Sequence, residues 1–456
     1  MKILFISRFV EPHPIGGNRN VFLQEKSLQD DFGLDVEILT WPLNDLWTGP
    51  MPDKLAQVPA LKVVREGLTY HVFTAPLAWN EIAGGNVIEE VAWEAAVAYG
   101  MKLLQSIKPD IVHLQHRHGL WWLLDSAQRL GIPTVYSNHD WGLGCMRTVL
   151  VMGDNALCDG QVAVEKCAQC IVKGRGFIGR ANETLVQTRA GQQLVTLLER
   201  TPLRQTLRQS GMVRHSAQQR TAINYARASR LLSKLQHCFT PSEFGRQFFT
   251  QLGVKPGQIT VLPWYHDPVH INKSLQADHP FTITYIGRVS PEKGVHLIFA
   301  ALESVHGVPP IHLRIAGAND STYCRDLQAK YSKHVGSHTV QWLGWSNVEP
   351  LFNSTDVTII YSVSIDNTPL SLIEALSYRV PVIATRIPPI EDLVTDGENA
   401  FLADYLSVDS LADAIRRAES KKSLIRDDAL HFPPVLSLKA YMSAVVNTYQ
   451  KICGAD

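Results

Sequence analysis

No stretch of this chain reaches the roughly 18 uninterrupted apolar residues that a membrane-crossing helix needs. Charge of either sign is not in excess, with 43 Lys and Arg against 43 Asp and Glu in 456 residues. A membrane-spanning segment is therefore not expected, and there is no global electrostatic case for nucleic acid as a partner. The opening residues MKILFISRFV hold one lysine and a short apolar run with no small-residue cleavage site, so they do not read as a secretory leader. Seven cysteines are too few and too odd in number for a secreted disulfide framework. A soluble, cytoplasmic protein is expected. The GxGxxG fingerprint is also missing after the first apolar run, and no acidic residue closes the second, DVEILTW, which speaks against a dinucleotide-dependent oxidoreductase.

What is present is a repeated alternation. Short apolar runs of strand length alternate with helical patterns twice over, which predicts α/β architecture with parallel sheets covered on both faces. In the first half the runs are KILFIS, DVEILT, HVFTA, DIVHLQ, TVYSNHD and HCFTPSE; in the second they are FTITYIG, IHLRIAG, VQWLG, DVTIIYS and VPVIATR. Between the sets lies GVKPGQITVLPWYHDPVHINKSLQADHP, rich in Pro, Gly and His and read as the linker. The expected organisation is two Rossmann-like domains, residues 1–262 and 279–434, joined by a linker at 263–278. A closing helix at 435–456 is placed to cross back onto the first domain.

A helical insert, residues 145–236, interrupts the first domain. Its 171–236 portion carries twelve Lys and Arg against only Glu183 and Glu199. A solvated helical face explains such a run; an anionic partner, a bilayer surface or a lipid pyrophosphate, explains it as well. The same insert opens with Cys145, Cys158, Cys167 and Cys170, ending in CAQC. This spacing suits a structural zinc or an iron–sulfur cluster, with buried free thiols as the alternative. His113, His116 and His118 crowd into VHLQHRHGLWW, where a hydrogen-bonded role is commoner than metal binding. Trp121 and Trp122 in the same stretch are read as core residues.

Three stretches carry chemistry. In YIGRVSPEKGVHLI, Arg288 and Lys293 stand between a strand and a helix, where two cations beside a helix N-terminus suit a diphosphate. Taken alone, a pair of solvated surface cations fits equally well. In EPHPIGGNRN, Gly16 and Gly17 follow the first strand and let backbone amides approach a phosphate, although an ordinary turn explains them too. In DNTPLSLIEALSYRVPVIATR, Asp366 and Glu374 flank a turn and a helix start at Leu370 and Ser371; a carboxylate there can accept two hydroxyl hydrogen bonds from a diol.

Together GRVSPEKGV, LRIAGAND, QWLGW, DVTIIYS and TPLSLIEALSYRVPVIAT, in this order and spacing, resemble the retaining nucleotide-sugar glycosyltransferases of family 4, which have the two-domain GT-B fold. The resemblance spans the chain and is weakest over 145–236. It implies that Arg288 and Lys293 hold the donor pyrophosphate, that Gly16 and Gly17 approach it from the first domain, that Glu374 binds the ribose and that Asp366 contacts the transferred sugar. It further implies that Asn367, Thr368, Pro369, Leu370 and Ser371 line the donor site. His139 in YSNHDW is implied beside the reacting sugar. The implied reaction moves a sugar, with retention of configuration and without a catalytic cofactor, to a glycan or lipid-linked glycan; a non-catalytic nucleotide-sugar or glycan-binding protein of the same fold stays open. The chain departs from the family at Asp366, where glutamate is usual, at Pro388 and Pro389, and at Trp264 and Tyr265.

Overall fold

The computed structural model describes residues 1–7, 16–40, 61–73, 90–115, 120–174, 180–181, 184–186, 188–198, 216–273, 278–318 and 320–454. By contact they form two compact units, residues 1–240, 245–262 and 442–456 in one and residues 241–244 and 263–441 in the other.

The first unit is built on an eight-stranded sheet: β1 (Lys2–Ile6), β2 (Asp35–Thr40), β3 (Leu61–Arg65), β4 (Leu68–Val72), β5 (Ile111–Leu114), β6 (Thr134–Ser137), β7 (His237–Thr240) and β8 (Ile259–Val261). Their order is β3-β4-β2-β1-β5-β6-β7-β8, and every pairing is parallel except β3 with β4. The central strand β1 runs apolar without alternation because both its faces are covered: Ile3, Leu4, Phe5 and Ile6 are fully buried. Around it lie α1 (Gly16–Asp30), α2 (Glu90–Ile107), α3 (Trp122–Arg129), α4 (Val164–Lys173) and α5 (Ala217–Leu232).

The second unit has seven strands: β9 (Phe281–Ile286), β10 (Ile311–Ala316), β11 (His334–Val335), β12 (His338–Gly344), β13 (Val357–Ile360), β14 (Val382–Thr385) and β15 (Ala400–Ala403). Their order is β11-β12-β10-β9-β13-β14-β15, again parallel apart from the edge pair β11 and β12. Helices α6 (Val295–Ser304), α7 (Leu370–Ser377) and α8 (Val408–Ser420) pack against it. The last helix, α9 (Leu438–Cys453), belongs to the second unit up to Tyr441 and to the first from Met442 onward. Trp264 and Tyr265 both lean on Tyr441, with ring centroids 6.0 and 5.0 Å away, so this bulky pair has an apolar partner.

These two parallel-dominated sheets are the α/β two-domain fold expected from the alternation, with local differences. The run HVFTA ends as a strand at Val72, and its partner β3 was not anticipated. The Pro- and Gly-rich stretch 253–280 holds a strand, β8, just before the expected linker at 263–278. Among the described residues no helix is long and apolar enough to cross a membrane.

Two arginines of the basic insert are buried and a third pairs with a buried carboxylate, whereas Lys173, Arg180, Arg189 and Lys234 are exposed. Arg227 is buried, lies over the Trp93 ring at 4.2 Å and donates to Glu90 at 2.8 Å. Arg220 is buried as well. Arg230 donates two hydrogen bonds, of 3.0 and 2.8 Å, to the buried carboxylate of Asp125. Burial pushes the Asp125 carboxyl up, but hydrogen bonds from Arg230, Trp93 and Arg129 outweigh it and hold it down at about 2. Arg227 and Arg230 thus tie α5 to Glu90 and Asp125, while the Arg230 side chain stays 40% exposed.

An equivalent tie fixes the start of β9. Asp356, fully buried before β13, accepts from the Thr282 amide at 2.8 Å and from Arg426 at 2.7 and 3.0 Å. Removing the cation leaves a buried charge unpaired, so Arg426→Ala is expected to cost about 3–5 kcal/mol of stability in urea unfolding. Replacing both Asp356 and Arg426 by Leu costs less than Arg426→Ala alone.

Candidate functional site

In an open parallel sheet the helices that follow the strands leave the carboxyl edge free for ligands. Both candidate constellations lie on such an edge, one in each unit.

In the second unit β9 ends at Ile286 and the chain passes through Arg288 into a single turn, Pro291–Lys293, before α6 begins. Gly294 closes that turn at φ 64°, and a Cβ there would stand 2.1 Å from the Tyr361 carbonyl oxygen. Only glycine permits this approach of the PEKG turn to the end of β13. The Val363 amide donates to the Glu292 carbonyl at 2.9 Å and draws the same two segments together. The outcome is an ion pair: Lys293 Nζ lies 2.7 Å from Asp366 Oδ2, which also accepts from the Ser362 hydroxyl at 2.6 Å. Arg288 remains mostly exposed, 64 %, and pairs loosely with Glu292 at 3.1 Å. Tyr285 donates to the Arg288 carbonyl at 2.6 Å and fixes the backbone from which that guanidinium extends.

Downstream, Asn367 and Thr368 are buried, and Thr368 donates to the Asn367 carbonyl. Pro369 occupies the N-cap of α7 and supplies no side-chain cap to the amides of the first turn, where Leu370 and Ser371 sit half-buried. Glu374 is half-buried one turn further on. Every residue singled out between Asp366 and Glu374 thus falls on the loop after β13 or the first turns of α7.

In the first unit Gly16 and Gly17 open α1; the turn that precedes them lies outside the described residues, as do His116 and His118. His139 follows β6, and its Nε2–H donates to Gln115 Oε1 at 2.5 Å. Burial lowers the His139 ring to about 4 against a small opposing pull from Asp140, so it is neutral near pH 7. His113 is fully buried on β5, its two ring nitrogens bonded to Tyr449 OH at 2.5 Å and Ser137 Oγ at 2.8 Å, a structural use. Burial, reinforced by His139 and His237, brings it down to about 3. Trp121 and Trp122 are core residues.

The four insert cysteines line one small pocket of about 30 Å³ together with Tyr225 and Phe248. Burial pushes the thiols of Cys145, Cys158 and Cys170 up, so they are protonated at neutral pH. Among the described residues no group of three or more His, Cys, Asp or Glu is arranged to hold a metal ion, and all seven cysteines are free thiols. The zinc or iron–sulfur expectation therefore has no support among the described residues. Two pairings were missed from sequence, Lys293 with Asp366 and Gln115 with His139.

Residues 267–429 match the family model for glycosyl transferases group 1. A lipopolysaccharide 1,6-galactosyltransferase of Salmonella typhimurium is 24% identical over 218 residues, which is 44% of this chain and 58% of that protein. The lipopolysaccharide core biosynthesis glycosyltransferase LpsE of Rhizobium meliloti is 28% identical over 152 residues, 32% of this chain and 42% of LpsE. The aligned stretches thus span about half the length of these curated relatives. Among solved structures, Anabaena HepE in complex with UDP and glucose superposes with a TM-score of 0.58 at 16% identity, covering 99% of this chain and 100% of that one. Sucrose-phosphate synthase from Thermosynechococcus elongatus gives 0.57 at 16% identity with complete coverage of both chains. The fold is that of GT-B glycosyltransferases.

The buried histidines predict an acid response. His113, His139 and His237 would take up protons near 6.5 when unfolded but resist until about 3 to 4 when folded. The unfolded chain therefore binds protons first, and folding stability falls as pH drops below 6.5. The urea midpoint should decline between pH 6.5 and about 4.5, above the range of unfolded carboxylates, and His237→Asn should flatten part of that slope. A level profile across this window would contradict the assignment.

Proposed function

We propose that this chain, whose second unit carries the match to the group 1 glycosyltransferases, moves a sugar from a nucleotide-diphosphate sugar to a glycan or lipid-linked glycan with retention of configuration. The observation that carries the reading is the Lys293–Asp366 pair at the carboxyl edge of β9 and β13. A lysine there is held in place by a carboxylate before any donor arrives, and exchanging one anionic partner for a diphosphate needs little reorganisation. UDP and glucose bound to the superposed HepE, and UDP-glucose in a second HepE complex, make a UDP-sugar the first donor to test. The lipopolysaccharide names of the sequence relatives favour a glycolipid or polysaccharide acceptor.

In this reading Arg288 and Lys293 contact the pyrophosphate, and the uncapped first turn of α7, at Leu370 and Ser371 behind Asn367, Thr368 and Pro369, adds amide dipoles. Glu374 accepts the ribose hydroxyls, and Asp366, once Lys293 turns to phosphate, accepts from a hydroxyl of the transferred sugar. In the first unit the Gly16–Gly17 backbone is assigned to phosphate and His139 to the sugar. The bond from the anomeric carbon to the diphosphate oxygen breaks with its electron pair left on the diphosphate. The acceptor oxygen forms the new bond on the same face and passes its proton to the departing diphosphate oxygen. The charge that develops on the leaving oxygen meets Arg288 and Lys293, and electrostatic stabilisation of this kind is the largest lever available to such a site.

Titration of UDP, GDP, ADP, CMP and dTDP by calorimetry tests the donor site. One nucleotide should bind, and Lys293→Ala should weaken it about ten- to a hundredfold, the effect of losing a charge-assisted hydrogen bond of about 1.5–3 kcal/mol. Binding of none of the five would overturn the donor reading. A bound nucleotide whose sugar conjugate is never turned over with any glycan acceptor would indicate a binding protein. An inverted anomeric product by NMR would remove retention.

A further inference from the structure

Gln115 stands one residue beyond β5, and its backbone amide donates to the Ile6 carbonyl at 2.9 Å, at the end of β1. Its side chain is 1% exposed. The Oε1 atom accepts the His139 Nε2 proton at 2.5 Å. The other half of the carboxamide, Nε2, is buried and has no hydrogen-bond partner among the described residues. On the adjacent strands His113 bonds Tyr449 and Ser137, and the Asn138 amide nitrogen donates to Thr240 Oγ1 at 3.3 Å. Buried donors without an acceptor are uncommon in folded proteins and call for an explanation, of which a bound ligand oxygen is one.

We propose that Gln115 is a positioning and specificity-determining residue: it fixes His139 in the Nε2–H tautomer, leaving Nδ1 as an acceptor, and offers its own free N–H₂ to a hydroxyl oxygen of the transferred sugar. This rests on the donor reading above. The two functions come from opposite ends of one planar amide, so the hydroxyl and the imidazole are held at a set spacing. The chemistry required of the ligand is a neutral oxygen acceptor beyond the diphosphate, which a pyranose hydroxyl of the sugar conjugate supplies and the bare nucleotide, whose own hydroxyls lie on the far side of its phosphates, does not. A site that gives a buried N–H₂ to one hydroxyl discriminates against sugars lacking it.

Two substitutions separate the roles. Gln115→Ala removes both; Gln115→Glu keeps an acceptor for His139 Nε2–H, loses the N–H₂ donor and sets a carboxylate beside the ring. Calorimetry with UDP and with UDP-glucose, or the equivalent pair if the wild type selects another base, gives the affinity ratio for sugar conjugate over nucleotide. Both variants should keep nucleotide affinity within about twofold and lower the ratio about ten- to a hundredfold, the range for losing one buried hydrogen bond. Gln115→Glu should also make the quotient of its ratio to that of the wild type depend on pH between about 5 and 8, because the carboxylate raises the proton affinity of His139. A residue that only filled space would give no such pH dependence. If Gln115→Ala does not fold, the Gln115→Glu ratio and its pH profile decide alone. Variants that bind nucleotide but leave the ratio and its pH profile unchanged would overturn the inference and leave the donor reading intact. A wild type that binds none of the nucleotides or their glucose conjugates would overturn both.

Discussion

The chain can bring Lys293 and Asp366 to 2.7 Å only because two backbone segments meet where a side chain would not fit. Gly294 touches the Tyr361 carbonyl, and the Glu292 carbonyl takes the Val363 amide. Those contacts exist because β9 and β13 are neighbours in the sheet. Loosening any one of them would leave the lysine a solvated cation on a four-carbon stem, with rotamer entropy to lose on every binding event.

The first unit repeats the device with neutral groups. Gln115 and His139 follow β5 and β6, which are also adjacent and parallel, and they meet just past the carboxyl ends of those strands. One topological rule thus produces both pairs: consecutive side chains beyond neighbouring parallel strands converge, however far apart they lie in sequence. The electrostatics differ because the surroundings differ. The cation and carboxylate are a quarter exposed, whereas burial keeps the imidazole neutral and leaves an amide as its suitable partner.

This rule also marks what could be read from the letters. Strands such as KILFI and FTITYI were legible because burial on both faces makes them continuously apolar. Strand β3, LKVVR, was not: it is an antiparallel addition with Val64 69% exposed, so it alternates with charge and resembles a loop. Strand β8, three residues among prolines and glycines, carries too little pattern to register. For the site, each residue from Arg288 to Glu374 stood in a recognisable stretch, yet the pairing of Lys293 with a residue 73 positions away required the strand order. The basic run was legible only as composition. Composition counts charges without saying where they point, and Arg227 and Arg230 point at Trp93 and Asp125. The four cysteines were legible as neighbours in space, and they line one pocket.

The hydrogen bond between His113 and Tyr449 joins residues 336 positions apart, inside the first unit. During synthesis the second unit has nearly all its residues in hand before α9 is made, whereas β5 waits for almost the whole chain to emerge. The part translated first is therefore the part completed last, and its central sheet must stay soluble without one flank for most of translation. At a synthesis rate of about 5–20 residues per second that interval is on the order of tens of seconds, long enough to make the nascent first unit the point of greatest exposure to chaperones and to misassembly.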